Sequence, residues 1–237
     1  MTAMTTANTA PLIIDVAYDV ICPWCWIGKR HLDAALAELR VERPNVAVQI
    51  RWQPVQLLPQ MPIEGIPFLA FYIPRLGSFE AVHSRQAQVR SAAEPAGLQI
   101  AFERIERMPN TARAHALLRH VASERADAYA SMLERLFAGH FQRGENLGDI
   151  DTLLAIAAEF DLASDALRTV LTHARAVTPP SQGLASQGVP HYRFNDSFDL
   201  TGAQAPAALL AAMIAALPAL PADDQRRVTS TNSPATV

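Results

Sequence analysis

Cys22-Pro23-Trp24-Cys25 decides the reading of this chain, because these are its only two cysteines and just two residues separate them. Upstream, Leu12-Ile13-Ile14-Asp15-Val16-Ala17-Tyr18-Asp19-Val20 is rich in β-branched residues, the composition of a strand. Downstream, apolar residues recur at helical spacing at Ile27, Leu32, Ala35, Leu36 and Leu39. The CxxC therefore lies at a strand-to-helix junction, with Cys22 at the helix N-terminus. Unpaired N–H groups and the positive end of the helix dipole favour a thiolate there, which makes Cys22 the reactive sulfur. Pro23 suits the first helical turn, where its fixed φ fits and its missing N–H is not needed. Trp24 either presents a flat apolar surface beside the sulfur or is an ordinary half-buried aromatic.

Composition weighs the other uses of a CxxC. A structural zinc site takes four ligands, and this chain has no second cysteine pair and only scattered histidines. An inert structural disulfide closing so short a loop restrains the unfolded chain little. Reversible thiol chemistry is left, with no metal expected.

At 237 residues and 25.8 kDa, the chain can bury one large core or one domain that carries an insertion. No apolar run is long enough to span a bilayer, and the most apolar stretch, Ala205 to Leu220, is alanine-rich and broken by prolines. A net charge of −3 and a pI near 6.2 give no electrostatic footprint for nucleic acid or an anionic membrane. Residues 1–10 have neither a basic nor an apolar segment of the kind that directs secretion, so a cytoplasmic location is expected.

Residues 46 to 52 alternate as a second strand does, and Arg43-Pro44-Asn45 ends the intervening helix, giving a parallel βαβ opening. Pro54, Pro59, Pro62, Pro67 and Pro74 mark a long irregular stretch. Helical periodicity follows over Phe79 to Ala93, Thr111 to Ser123, Asp127 to Phe141, Asp149 to Phe160 and Ser164 to Arg175, with Asn110 and Asp149 placed as caps. Tyr192-Arg193-Phe194 and Phe198-Asp199-Leu200 flank Asn195-Asp196-Ser197 as a β-hairpin. Pro190 opens its first strand, where a cis bond would free the neighbouring backbone for a ligand but the residues alone favour a plain trans turn. Ala203 to Leu217 forms a closing helix. The division that results is a discontinuous α/β unit of residues 11–60 and 177–220, an inserted helical unit of 61–176, and flexible tails at 1–10 and 221–237. His31, Glu80, Arg85 and Arg90 read as solvated or packed helix-face residues rather than site residues.

This order resembles the thioredoxin fold with an inserted helical domain, as in the DsbA superfamily. More narrowly, Asp19-Val20-Ile21-Cys22-Pro23-Trp24-Cys25-Trp26-Ile27-Gly28-Lys29, Gln56-Leu57-Leu58-Pro59, Asn110-Thr111-Ala112-Arg113-Ala114-His115, Gly188-Val189-Pro190 and Gly202-Ala203-Gln204 are similar to the FrnE-like branch of DsbA oxidoreductases. The resemblance runs from about Ile13 to Leu217. It implies a cis Val189–Pro190 bond facing Cys22, a helix carrying Asn110 and His115 at a substrate cleft over the active site, and exchange with protein or small-molecule thiols. No cofactor is implied beyond glutathione as a co-substrate, and no nucleic acid or membrane partner. The chain departs from the family in His191-Tyr192-Arg193, where members commonly carry Phe-Phe or Phe-Val, in the proline-rich approach Val177-Thr178-Pro179-Pro180-Ser181-Gln182, and in having no further cysteines. Two other functions share the architecture: glutathione-dependent isomerisation or conjugation of the kappa-class type, which places serine where Cys22 stands, and redox-independent holdase activity.

Overall fold

The computed structural model describes residues 11–177, 179 and 182–218. The two tails and most of the Thr178–Ser181 approach named above lie outside the described residues.

β1 (Leu12–Tyr18) is the inner strand of a four-stranded sheet in the order β2-β1-β5-β6. Its Leu12, Ile14 and Val16 alternate into one core, and from Val16 onward every residue is buried. β2 (Val48–Pro54) runs parallel to it in the register Leu12↔Val48 to Tyr18↔Pro54, so the βαβ opening stands, two residues displaced from the stretch read in sequence. α1 (Pro23–Glu42) makes the crossover. β3 (Ile66–Pro67) and β4 (Arg107–Met108) pair as a short separate ladder that the sequence did not signal.

β5 (His191–Phe194) and β6 (Phe198–Thr201) form the expected hairpin. Its turn needs left-handed backbone at Asn195 (φ 47°) and Asp196 (φ 56°), which these residue types tolerate. Asn195 also ties the turn down: its Oδ1 accepts from the Ile13 N–H at 2.8 Å and its Nδ2 donates to the Ala216 carbonyl at 2.9 Å. α8 (Pro206–Ala216) lies beside α1, and Leu209 and Met213 share a core with Leu32, Leu36, Leu39, Tyr192 and Phe194.

Between β2 and β5 runs the helical insertion. α3 (Phe79–Ala93) and α4 (Ala112–Glu124) fall where periodicity placed them, as do α6 (Ile150–Ala158) and α7 (Asp165–Thr172) with slightly shorter bounds. Two features differ. α2 (Phe68–Leu76) occupies part of the stretch read as irregular: Phe68 and Phe71 bury one face, and Pro74 stands inside only two residues from the end, where few hydrogen bonds remain to lose. The predicted helix over 127–141 is divided into a 3₁₀ turn (Ala126–Ala128), α5 (Tyr129–Ala138) and a π-helical turn (Gly139–Arg143). The wider turn carries both His140 and Phe141 inward, where the Phe141 carbonyl accepts from the Ala101 N–H at 2.8 Å.

Asp149 caps α6, accepting from the Thr152 N–H at 2.8 Å, as expected. Asn110 stands one residue further out than a cap, yet its Oδ1 still accepts from the Ala112 N–H at 3.0 Å. A single apolar cluster joins Tyr18, Cys22, Cys25, Trp26 and Ile27 to Phe68, Leu117, Phe137 and Phe141 of the insertion. The CxxC thus lies on the seam between sheet and helices.

Candidate active site

Cys22 is the N-cap of α1 with extended backbone (φ −92°, ψ 110°), and Pro23 occupies the first helical position. No side chain caps the helix, so its first N–H groups face the Cys22 side. The Cys22 N–H donates to the Asp19 carbonyl at 3.0 Å, and the Cys22 carbonyl accepts from the Cys25 N–H at 3.0 Å. Both cysteines are free thiols, within 3.2 Å of one another, and little exposed: 7% for Cys22 and 2% for Cys25. Burial pushes the Cys25 thiol well up, and its contact with Cys22 adds to this, so Cys25 holds its proton.

Across from the pair, the Val189–Pro190 peptide bond is cis, and the Cys22 Sγ lies 3.9 Å from the Val189 carbonyl oxygen. The loop is held on its far side by the Gly202 N–H, which donates to the Pro190 carbonyl at 2.8 Å. Gly28, on the first turns of α1, allows this approach. A Cβ there would overlap the Tyr192 hydroxyl and come 2.9 Å from Pro190 Cγ. His191 points to the other face of the sheet, bonded to Thr201 Oγ1 at 2.8 Å and Asp199 at 3.2 Å.

The expectation that Asn110 and His115 line an open substrate cleft is corrected. They are only 8% and 0% exposed, because both are consumed in a buried polar network beneath the CxxC. His115 Nε2 lies 3.0 Å from Asp19 Oδ1, and Asp19 Oδ2 accepts from the Leu57 N–H at 2.8 Å and the Thr111 hydroxyl at 3.5 Å. Asn110 accepts from Gln56 Nε2 at 2.8 Å and donates to the Met61 carbonyl at 2.6 Å. This pairing offsets most of the cost of burying these groups, with Gln56 Oε1 and His115 Nδ1 left without a partner, and locks the segments around Asp19, Gln56 and Asn110 together.

The opening beside the cysteines is lined instead by Pro23, Trp24, Phe68, Tyr72, Arg85 and Phe102, around a cavity of about 200 Å³. Arg85 is exposed, as read, but its guanidinium lies 5.8 Å over the Trp24 ring. Arg90 donates to the Ile100 carbonyl at 3.1 Å and pairs with Glu103 at 2.9 Å, so it anchors α3 rather than serving as a free surface charge. His31 pairs with the Gln204 carbonyl at 2.8 Å, fixing α1 to the approach of α8. Burial first, and then Cys22, pushes the pKa of the Tyr72 hydroxyl up to about 12.

A second polar group clamps α1 to the insertion. Glu134 on α5 accepts from Trp26 Nε1 at 2.8 Å and pairs with Lys29 at 3.0 Å and Arg30 at 2.7 Å. Burial opposes its charge, but Lys29, the Trp26 N–H and Arg30 outweigh that and hold the carboxyl below its usual range. Trp26 itself is stacked against Phe137 and Phe141, at 6.2 and 5.8 Å between centroids. Sequence reasoning passed over Asp19, Tyr72, Glu134 and Tyr192 as site residues. Of these, only Asp19 and Tyr192 carried a signal, one at the head of the stretch around the CxxC that carries the resemblance and one at the departure after Pro190. Among the described residues no group of three or more His, Cys, Asp or Glu stands together to hold a metal, and no helix is long and apolar enough to cross a membrane.

A family model described as the DSBA-like thioredoxin domain matches residues 13–213. Among curated proteins, the uncharacterized protein YwbO of Bacillus subtilis (strain 168) is 27% identical over 158 residues, which span 67% of this chain and 70% of its own. A probable DsbA oxidoreductase from Streptomyces coelicolor matches in structure with a TM-score of 0.74 at 22% identity, over 95% of this chain and 93% of its own. The cytosolic disulfide reductase DsbM from Pseudomonas aeruginosa, solved with GSH, matches with a TM-score of 0.56 at 18% identity, over 86% and 98%. At these identities the two structures bear on the fold alone, which is a thioredoxin fold with a helical insertion.

Proposed function

The chain belongs to the DSBA-like thioredoxin domain family, and on that premise we propose that it is a thiol-disulfide oxidoreductase acting on protein or small-molecule disulfides through Cys22 and Cys25. One observation carries this reading: two free thiols meet at an uncapped helix N-terminus, with Cys22 outermost and turned to the Val189 carbonyl. In the reducing direction, the Cys22 thiolate attacks a substrate disulfide, forming a mixed disulfide and expelling one substrate sulfur as a thiolate. Cys25, as thiolate, then attacks the Cys22 sulfur. The Cys22–Cys25 disulfide forms, the second substrate sulfur leaves with the electron pair, and the substrate has gained two electrons. The oxidising direction is the reverse.

Glutathione serves as co-substrate and no other cofactor takes part. The cytoplasm, where thiols are kept reduced, is the setting in which such a pair cycles with reduced partners. Assignment to the FrnE-like branch is supported by the meeting of the scattered motifs: Asp19 bonds Leu57 and His115, Gln56 bonds Asn110, and Gly202 bonds Pro190.

Trapping tests the assignment of roles. Cys25→Ser should accumulate a mixed disulfide with glutathione, seen by mass spectrometry, and Cys22→Ser should not. The opposite asymmetry reverses the roles. If neither variant nor the parent exchanges disulfides while a Cys22→Ser/Cys25→Ser protein still suppresses aggregation, the chain is a holdase. Turnover of a small-molecule substrate that requires glutathione but no Cys22–Cys25 disulfide marks the kappa-class chemistry.

A further inference from the structure

Tyr192 is fully buried on the sheet face that meets α1, and its hydroxyl has no hydrogen-bond partner. A phenylalanine would fill the same space and leave no polar atom stranded, so the hydroxyl is a cost to this state of the protein. Room for it is provided by Gly28, one turn beyond Cys25, where any Cβ would collide with the hydroxyl. Pro190 packs against the same glycine. The hydroxyl therefore lies against α1 beside Pro190, one helical turn along from Cys25.

We infer that the Tyr192 hydroxyl is the hydrogen-bond donor that stabilises the Cys25 sulfur as a thiolate when it resolves a mixed disulfide on Cys22. The inference rests on the proposed oxidoreductase activity and deepens it. Burial pushes the pKa of the Tyr192 hydroxyl well up, and the nearby Cys25 adds to this ahead of Cys22. The other ionisable groups facing these two residues are Tyr18 and Asp19, before α1, and Asp33, within it. In the step itself, Cys25 loses its proton to water and its thiolate accepts from the Tyr192 O–H, which keeps its proton. The thiolate attacks the Cys22 sulfur, the Cys22–Cys25 bond forms, and the substrate sulfur leaves as a thiolate that takes a proton from water. Burial works against Cys25 ionising, and a donor placed inside the protein offsets that.

Tyr192→Phe separates this role from a structural one, with the two half-reactions measured apart. Attack of Cys22 on glutathione disulfide, followed in the Cys25→Ser background, should keep its rate. Resolution of a preformed Cys22–glutathione mixed disulfide should slow about ten- to a hundredfold, the worth of a hydrogen bond to a charged group. Its pH–rate profile should move about one unit or more upward. The variant should melt no lower than the parent, since an unpaired buried hydroxyl has been removed. Unchanged resolution, or equal slowing of both half-reactions, overturns the role for Tyr192. Failure of the parent to form any mixed disulfide overturns the oxidoreductase reading instead.

Discussion

Replacing Gly28 by alanine tests whether the site is as closely packed as the geometry requires. At an ordinary interior position of a helix, glycine to alanine gains about 1 kcal/mol. Here the added methyl would overlap the Tyr192 hydroxyl and stand 2.9 Å from Pro190 Cγ, closer than packed carbons approach. Neither side can yield easily. Tyr192 is fully buried in the core shared by α1 and α8, and the far side of α1 is held by Trp26 and Ile27 in the core of the insertion. Forcing a methyl into such a space costs about 1 to 3 kcal/mol, and the surrounding rigidity places this case toward the upper half. The net expectation is a destabilisation of about 1 kcal/mol, a fall in Tm of about 2 to 4 °C for a chain of this size. Disulfide exchange should slow as well, because the displaced part is the Pro190 loop facing Cys22. Urea unfolding followed by tryptophan fluorescence gives the energies, and the same substitution in a Tyr192→Phe background should cost distinctly less because the nearest atom is gone. A rise in Tm, or an equal cost in both backgrounds, refutes the argument.

His140 is buried and its pKa is lowered to about 4, the cause being burial, against about 6.5 in the unfolded chain. A depressed pKa means that its contribution is complete above about pH 6.5 and is lost as pH falls toward 4. About 1.4 kcal/mol per unit then gives a decline of order 3 kcal/mol. His140→Gln should remove that slope from denaturant-unfolding measurements between pH 6.5 and 4, and parallel decline in both proteins would show that His140 is not the titrating group. Glu134→Gln keeps an acceptor for the Trp26 N–H but removes the charge between Lys29 and Arg30, and should cost about 1 to 2 kcal/mol at neutral pH. Because the carboxyl is held below its usual range, its contribution is present above about pH 4.5 and lost as pH falls through the depressed value. The stabilities of variant and parent should therefore converge in acid, and a constant gap would contradict the charge argument.

Much of the secondary structure is decided by near neighbours along the chain. β-Branched composition made β1 a strand, helical spacing and Pro23 made α1 a helix with Cys22 at its N-terminus, Asp149 started α6 as its cap, and Asn195-Asp196 turned the hairpin. Local signals also erred where distant packing outweighed them. Prolines argued against α2, yet Phe68 and Phe71 had a core to enter, and the run over 127–141 widened into a π turn because His140 and Phe141 both face inward. Asn110 and His115 belong to the right motif with the wrong role, since whether a polar side chain lines a cleft or spends its hydrogen bonds in the interior depends on residues far from it. Asp19 and His115 are 96 positions apart and meet only because the insertion folds back over the CxxC. The same holds for Gly28 against Pro190 and Tyr192, from which it is more than 150 positions away. Helix and strand arise from interactions within a few residues, whereas the space around Cys25, and the donor left in it without a partner, exist only once the sheet, the Pro190 loop and α1 are packed together.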